Sequence, residues 1–499
     1  MTSTWDQPAG APRIRRIRGG EAQAAPRPQR ARPVQLIETA PHPREEGFEI
    51  GRTGIDIDGL FAFGLFLPML YLSQWTSLGA ATIAAMVPAY MFIRRERLAK
   101  VMTPRLFLLA VPAFAMFSVV WSAYPKESLR HSVELGITVM AGLLLSSARN
   151  QNAVLRGIAC AYAIYIVNSI IAGGTVIVGV GMGGDAFSGL TESKNLEADI
   201  ASCGVVVTSI MTIIALQRRN LVWALGGACA IALELYAAFA ARSAGAVLGL
   251  GMALMAYAVL IPLVYAGKAV RAWLTSMVVI LLPIAAASYQ TLSQALIHLG
   301  AAVFDKDSTL TGRTYLWYRA ADFIKEKPFF GRGYDAFWVQ GNVDAEGLWR
   351  FFGIIDRNGF TFHNTYVQTL VELGWVGLAV VILTVLIGVV FLVRRFIEKP
   401  NLPLVFWIGI LLYEIVRTPI EVVGTLPFYF STAYVFGALG AAFSREHGRK
   451  PGVRLATVAS IATPVLVSVT PEAQVDRFGR KKPDRRALRL VKSGPEDDR

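Results

Sequence analysis

Charge is scarce in this chain. Only 17% of its 499 residues are Asp, Glu, Lys or Arg, against about 25% in a soluble globular protein, which excludes an ordinary soluble enzyme. Cysteine is scarcer still. Cys160, Cys203 and Cys229 form an odd set inside apolar runs, which excludes a disulfide framework and any cysteine-based metal spacing and leaves them as packing residues. Histidine occupies five positions, so the candidates for proton transfer near neutral pH are few. No apolar run begins before about Gly59, so no cleavable signal peptide is expected.

What the chain has in excess is apolar residues, 54% of the total, with a mean hydropathy of +0.47. They fall in blocks of roughly 17–25 residues, the length at which a helix crosses hydrocarbon. The fold class expected is therefore an all-α polytopic membrane protein. Apolar runs near 59–73, 77–93, 104–120, 132–147, 157–180, 199–216, 221–240, 244–265 and 272–288 precede a long polar stretch, and runs near 364–393, 402–417 and 428–443 follow it. The count is about 12 transmembrane helices, with a large periplasmic loop between helices 9 and 10. Five segments result: a disordered basic tail over 1–54, helices 1–9 over 55–290, the loop over 291–362, helices 10–12 over 363–445, and a second basic tail over 446–499.

The net charge of +14 sits mostly in the tails and short loops. Nucleic-acid binding is one reading of such runs, but cytoplasmic segments touching anionic lipid is the one favoured. With both termini inside, the inner loops "RRERLAK", "SSARNQNAVLR", "QRRN", "AGKAVRAW", "RRFIEKP" and "SREHGRK" each carry at least two Lys or Arg. The outer loops "SQWT", "WSAYPKESLR", "MGGDAFSGLTESKN", "ARS" and "TPIEVVGTLP" are mostly poorer in them. Lys126, Arg130, Lys194 and Arg242 break that pattern at outer helix mouths. One such residue alone is explained by snorkelling to headgroups; four beside the long loop point to an anionic ligand.

In the long loop, Leu316, Ala320, Phe323 and Ile324 of "TGRTYLWYRAADFIKEKP" recur at helical spacing, and Pro328 stops the helix. This amphipathic helix is expected to lie on the outer membrane face. The glycine-flanked Arg332 of "GRGYDAF" follows, where backbone can approach a ligand closely.

Taken together, "GRTYLWYRAADFIKEKPFFGRGYDAFW", "FHNTYVQTLVELGWVGL", "WSAYPKESLR", "SGLTESKNLEAD" and "ARSAGAVLGL" resemble the O-antigen ligase/polymerase superfamily of bacterial envelope glycosyltransferases, over roughly residues 100–445. The "GYDAFW" end looks closest to the rhizobial exopolysaccharide-polymerisation branch. The resemblance implies a glycosyltransferase-C-like helical fold in the bacterial inner membrane and no cofactor. It implies a donor glycan on undecaprenyl diphosphate, attacked at its anomeric carbon by a sugar hydroxyl. Membrane lipid, a chain-length regulator and export proteins are the other partners it implies. The family's functional positions fall on Arg242, Arg313, Arg332 and His363, with Asn195 and Asn364 in the matching motifs. The long tails and the charged "TESKN" run, with Glu192 and Lys194, depart from the family pattern. The reading favoured is a polymerase extending exopolysaccharide or O-antigen from undecaprenyl-diphosphate-linked repeat units. A ligase to lipid A-core or protein is the nearest alternative, and a flippase or transporter, which lacks the repeated halves expected of it, is the other.

The residues themselves point to the same chemistry. A diphosphate leaving group develops negative charge that fixed cations or a metal must absorb, and arginine binds phosphate oxygens bidentately without losing its proton. Asp56 and Asp58 fall on the inner side, and Asp305 and Asp307 form a lone DxD outside, so arginines are favoured over a metal. His42 and His447 are in cytoplasmic segments and His298 has no polar neighbours. His131 and His363 face outward, and His363 stands out because Asn364, Gln368 and Glu372 follow at i, i+4 and i+8 spacing. Glu372 would lie about 12–14 Å deeper than His363 and must be paired, with Arg417 a candidate, or face a polar cavity. Gly374 and Gly377 are expected to allow close helix packing. The candidate set is His363, Arg313 and Arg242 for catalysis, and Arg332, Asn364, Asn195, Lys194, Arg130 and Glu372 for substrate binding.

The charge pattern makes a direct prediction about sidedness. In a cysteine-free background, a membrane-impermeant thiol reagent applied to intact cells labels Ser308→Cys and spares Ser444→Cys. Labelling of Ser444→Cys would reverse the orientation.

Overall fold

The computed structural model describes residues 56–177, 184–191, 193–287, 308–357 and 359–444. Both tails, Glu192, Asp305, Asp307 and His298 lie outside the described residues. The first half runs α1 (Ile57–Leu70), α2 (Leu72–Ile93), α3 (Arg95–Met102), α4 (Ala110–Phe117), α5 (Pro125–Ser147) and α6 (Gln151–Ala172). A small hairpin follows, β1 (Thr175–Ile177) and β2 (Asp185–Phe187), antiparallel with Val176 opposite Ala186. Next come α7 (Lys194–Gln217), α8 (Leu221–Ala240), α9 (Ala244–Tyr265) and α10 (Lys268–Ala287). The outer segment carries α11 (Ser308–Glu326) and α12 (Val343–Phe352), and the chain returns through α13 (Thr365–Glu398), α14 (Leu402–Arg417) and α15 (Phe430–Ala441).

Among the described residues, 7 stretches are long and apolar enough to cross a membrane: α2, the Arg95–Val120 rod containing α3 and α4, α6, α7, α8, α9 and α13. The expectation of about 12 is thus met only in part. The helix α1 has 14 residues and α15 has 12, or roughly 21 and 18 Å, less than the ~30 Å of hydrocarbon. The run expected at 428–443 loses its first turn because Pro427 precedes it and Phe428 has φ +53°.

Helix starts are written in asparagine. Asn150, Asn220, Asn364 and Asn401 cap α6, α8, α13 and α14, each side chain accepting from a first-turn N–H. The closest helix pairs are α1 with α6, α5 with α15, α7 with α8 and α9 with α14. Small residues permit this. Gly157 of α6 meets the Gly59 backbone of α1, and Gly142 of α5 meets the Ala433 carbonyl of α15.

Among the described residues, hydrogen bonds gather segments at each end of the bundle. At one end, Asp58 accepts from Tyr90, Arg94 and the Asn150 N–H, Trp407 donates to Gln151, and Gln217 to Tyr265. At the other, Gln74 donates to Leu190, Trp121 to Phe330, and Arg313 to Ile420.

The apolar stripe of α11 is buried, but against protein. Leu316, Ala320 and Phe323 form a separate core with Phe337, Ala345, Leu348, Trp349, Phe362 and Val371. This small domain, called the outer domain after the side on which the charge pattern expects it, is fastened to the bundle at a break in α13. Gly374 has φ +66° and ψ −168°, which interrupts the helix, so it is a break rather than only the packing residue expected. The freed backbone groups are met by residues 328–333. Arg332 and Gly333 donate to the Val371 and Glu372 carbonyls at 3.0 and 2.8 Å, while Trp375 and Val376 donate to Pro328 and Phe329 at 2.8 and 3.1 Å. A broken helix is tolerated at membrane depth only when its backbone is satisfied in this way.

The contact is close enough to test. At Gly331, with φ +66°, a Cβ would come 2.4 Å from the Glu372 carbonyl, whereas at Gly341, with φ +90°, nothing lies within 4 Å. Gly331→Ala should therefore destabilise by more than the about 1–3 kcal/mol of backbone strain alone, and Gly341→Ala by no more than that. Thermal unfolding of the two variants in detergent measures the difference; equal losses would remove the docking contact from the account.

Candidate functional site

The first polar constellation forms where α13 begins. Its cap, Asn364, accepts from the Tyr366 and Val367 N–H groups and donates through Nδ2 to the Pro419 carbonyl at 2.9 Å. Thr365 donates to the Glu421 carbonyl and accepts from the Val423 N–H, both at 2.9 Å. These bonds clamp the 418–423 turn, which follows α14, onto the mouth of α13. The residue before the cap, His363, has φ +48°. That left-handed conformation is uncommon for a side chain with a Cβ and marks a position held by its surroundings.

The turn presents Glu421, and its two oxygens divide between two partners. Oε2 lies 3.2 Å from His363 Nδ1, and Oε1 accepts from Arg313 Nη2 at 2.8 Å. Arg313 also donates through Nη1 to the Ile420 carbonyl at 2.6 Å. Burial works against the Glu421 charge, but the His363 hydrogen bond and the His363, Arg313 and Arg417 charges outweigh it and hold the carboxyl at about 2. Glu421 is thus a permanent carboxylate at neutral pH, tying the outer domain (Arg313), the start of α13 (His363) and the end of α14.

Beneath the turn lies a buried ionic network. Arg417 Nη1 meets Asp199 of α7 at 2.6 Å and Glu414 at 3.1 Å, and Tyr413 donates to Asp199 at 2.8 Å. The Arg417 carbonyl in turn accepts from the Ile420 and Glu421 N–H groups, both at 2.9 Å. The network therefore fixes the turn that carries Glu421.

The structure brings His363, Arg313 and Asn364 together, whereas the Arg242 guanidinium lies beside Gly184, next to the hairpin. Arg242, at the α8–α9 turn with φ +48°, is three residues before Gly245, which the Ile420 side chain covers. Lys194 and Asn195 open α7, whose next turn carries Asp199. Gln368 continues the stripe, accepting from the Phe362 N–H at 3.0 Å and donating to Glu372 at 2.5 Å. The stripe exists as read, but the suggested Glu372–Arg417 pair does not; Arg417 takes Asp199 and Glu414 instead.

Two candidates sit apart from this group. Arg332 is clasped by Asp344 at 2.7 Å and Glu326 at 2.5 Å, with its guanidinium over Phe323 and Phe337. Those contacts place it inside the outer domain, holding the 328–333 segment. Arg130 is exposed and pairs with Glu134 at 3.0 Å on its own helix. Beside it, His131 Nδ1 lies 3.0 Å from Asp335 and 3.3 Å from Glu134, so the second outer histidine is an anchor for the same segment. Among the described residues no group of three or more His, Cys, Asp or Glu is set to hold a metal ion.

Sequence reading did not single out Glu421 or Asp199. Glu421 is the one Asp, Glu, Lys, Arg or His between Arg417 and Ser444, and that isolation at a helix mouth was the available signal.

A helical bundle in which an arginine, a histidine and a carboxylate are joined beneath a small second core defines a polytopic membrane protein with a polar cluster at one end. A family profile described as O-Antigen ligase matches residues 227–382. The chain is also 31% identical over 344 residues to the exopolysaccharide production protein ExoQ of Rhizobium meliloti (strain 1021), covering 67% of this chain and 76% of that protein. The chain belongs to the O-antigen ligase/polymerase superfamily. The profile match includes Arg242, Arg313, Arg332, His363, Asn364 and Glu372 and ends before Glu421.

The central tie yields a prediction. A carboxylate held below its ordinary value of about 4.3 stabilises the fold above that pH, and the contribution is lost as pH falls through about 2. The stability gap between wild type and Glu421→Gln should be fully open at about pH 5 and shrink as pH falls from about 4 toward 2. Thermal unfolding across that range measures it; a gap already closing near neutral pH would contradict the assignment.

Proposed function

We propose that the chain is a polymerase of exopolysaccharide or O-antigen at the periplasmic face of the inner membrane, with both termini cytoplasmic. It transfers glycan from undecaprenyl diphosphate to a hydroxyl of another lipid-linked repeat unit. The observation that carries this reading is the division of Glu421 between His363 and Arg313. With Nδ1–H donated to Glu421, the free electron pair of the ring lies on Nε2, which accepts the proton of the attacking hydroxyl. The hydroxyl oxygen bonds to the anomeric carbon, the carbon–oxygen bond to diphosphate breaks, and undecaprenyl diphosphate leaves. The ionised Glu421 stabilises the imidazolium formed. Arg313 and Arg242 supply positive charge for the departing diphosphate, and Asn364 holds the turn on which Glu421 sits. Lys194 and Asn195 reach the glycan from the top of α7. Arg332 and Glu372 serve the site indirectly, by seating the 328–333 segment, and the exposed Arg130 is left to meet the substrate.

A ligase that moves finished glycan to lipid A-core or protein is the second reading, favoured by the family description; donor chemistry is common to both. With purified protein and a lipid-linked repeat unit, His363→Ala should lower turnover by about 10²–10⁴ while donor binding persists. Arg313→Lys should weaken donor binding as well, because a point charge lacks the guanidinium fork. Activity should survive EDTA. Accumulation of single lipid-linked repeats in a deletion strain supports polymerase. Normal polymer that fails to reach its final acceptor supports ligase, and normal turnover of His363→Ala removes the base assignment.

A further inference from the structure

We propose that the end of the bundle opposite His363 holds a binding site for the phosphate headgroup of an anionic membrane phospholipid, between α6, α7 and α8. A cavity of about 80 Å³ opens there, floored by Leu155 and Met211 and rimmed by Arg156, Arg218, Asn220 and Trp223. One water needs roughly 10–15 Å³ by the same measure, so the space admits a phosphate group. It lies far from the glycan chemistry. Asp199, under the Glu421 turn, and Arg218 are at opposite ends of α7, roughly 28 Å apart along its axis.

Three observations select the ligand. The rim has two guanidinium groups and no carboxylate, and among the described residues neither arginine is in an ion pair. The Arg156 guanidinium lies 5.5 Å from the Trp223 ring centroid, which holds it over the opening by a cation–π contact. The floor is apolar, so the cavity matches a molecule with a charged head and a hydrocarbon body. A basic pocket between transmembrane helices is how phospholipid headgroups are held, and the indole fits the interface depth. Arg218 is exposed and can swing onto the phosphate, whereas Arg156 is half-buried and fixed.

The test uses the full-length protein in detergent, titrated with phosphatidylglycerol, with phosphatidylcholine or with inorganic phosphate, and native mass spectrometry to read occupancy. Phosphatidylglycerol should be retained in preference to phosphatidylcholine. Arg218→Ala should weaken it about fivefold, and Arg156→Ala with Arg218→Ala about thirtyfold, one interfacial charge at a time. Arg218 touches no buried partner, so its variant tests the idea even where the double variant folds poorly. Arg95→Ala removes an equal, exposed charge at the same end and should leave retention unchanged. Equal retention of the two lipids, or equal loss in Arg95→Ala and Arg218→Ala, would overturn the proposal. Displacement of phosphatidylglycerol by millimolar inorganic phosphate would assign the pocket to a soluble phosphate compound and overturn it as well.

Discussion

Glu421 accepts from an arginine of the outer domain with one oxygen and holds the ring of His363 with the other, so a single carboxylate joins three parts of the chain that have no covalent reason to meet. Charge-assisted bonds of this kind contribute about 1.5–3 kcal/mol each, but the geometric effect matters more. The turn bearing Glu421 is itself fixed from below by Arg417 and from the side by Asn364 and Thr365. Remove the carboxylate and the histidine loses its orientation, while the arginine loses its register against the bundle.

The ionic network beneath that turn is expensive in an apolar surround. Burying Asp199, Glu414 and Arg417 together is tolerable because the guanidinium meets both acids and Tyr413 adds a donor. Such a network contributes little net stability over a packed apolar core. What it supplies is position, since α7, α14 and the 418–423 turn can satisfy it in only one register. Arg105 shows the contrast. It is equally buried, yet it is held by the Gly440 and Val101 carbonyls, a capping arrangement that locks α15 and asks nothing of a substrate.

Much of this was legible in the residues. Hydropathy placed the long spans, helical spacing found the buried face of α11, the spacing after His363 pointed to Asn364 and Gln368, and the family resemblance alone pointed to Arg313. The failures have physical causes. Glu421 lies 58 residues from His363, and no periodicity connects them; only the fold does. Arg332 read as a phosphate ligand because its charge was visible, while its partners Glu326 and Asp344 looked like ordinary surface acids. Gly374 read as a packing glycine because a helix break carries no signature of its own when the flanking residues are good membrane formers. The helices α1 and α15 are shorter than the apolar runs read for them, because hydropathy windows do not register caps and turns.

The break in α13 also orders events during synthesis. Residues 328–333 leave the ribosome before Gly374 does, and their hydrogen-bonding partners at 371–376 do not yet exist. Val371 of α13 also belongs to the core of this domain, so the domain closes only once α13 has been made and breaks in the right place. Only then can Thr365 capture the 418–423 turn and the histidine be assembled. An intermediate stalled short of α14 would have its helix break satisfied but its polar mouth unfinished, with His363 and Thr365 lacking the 418–423 turn.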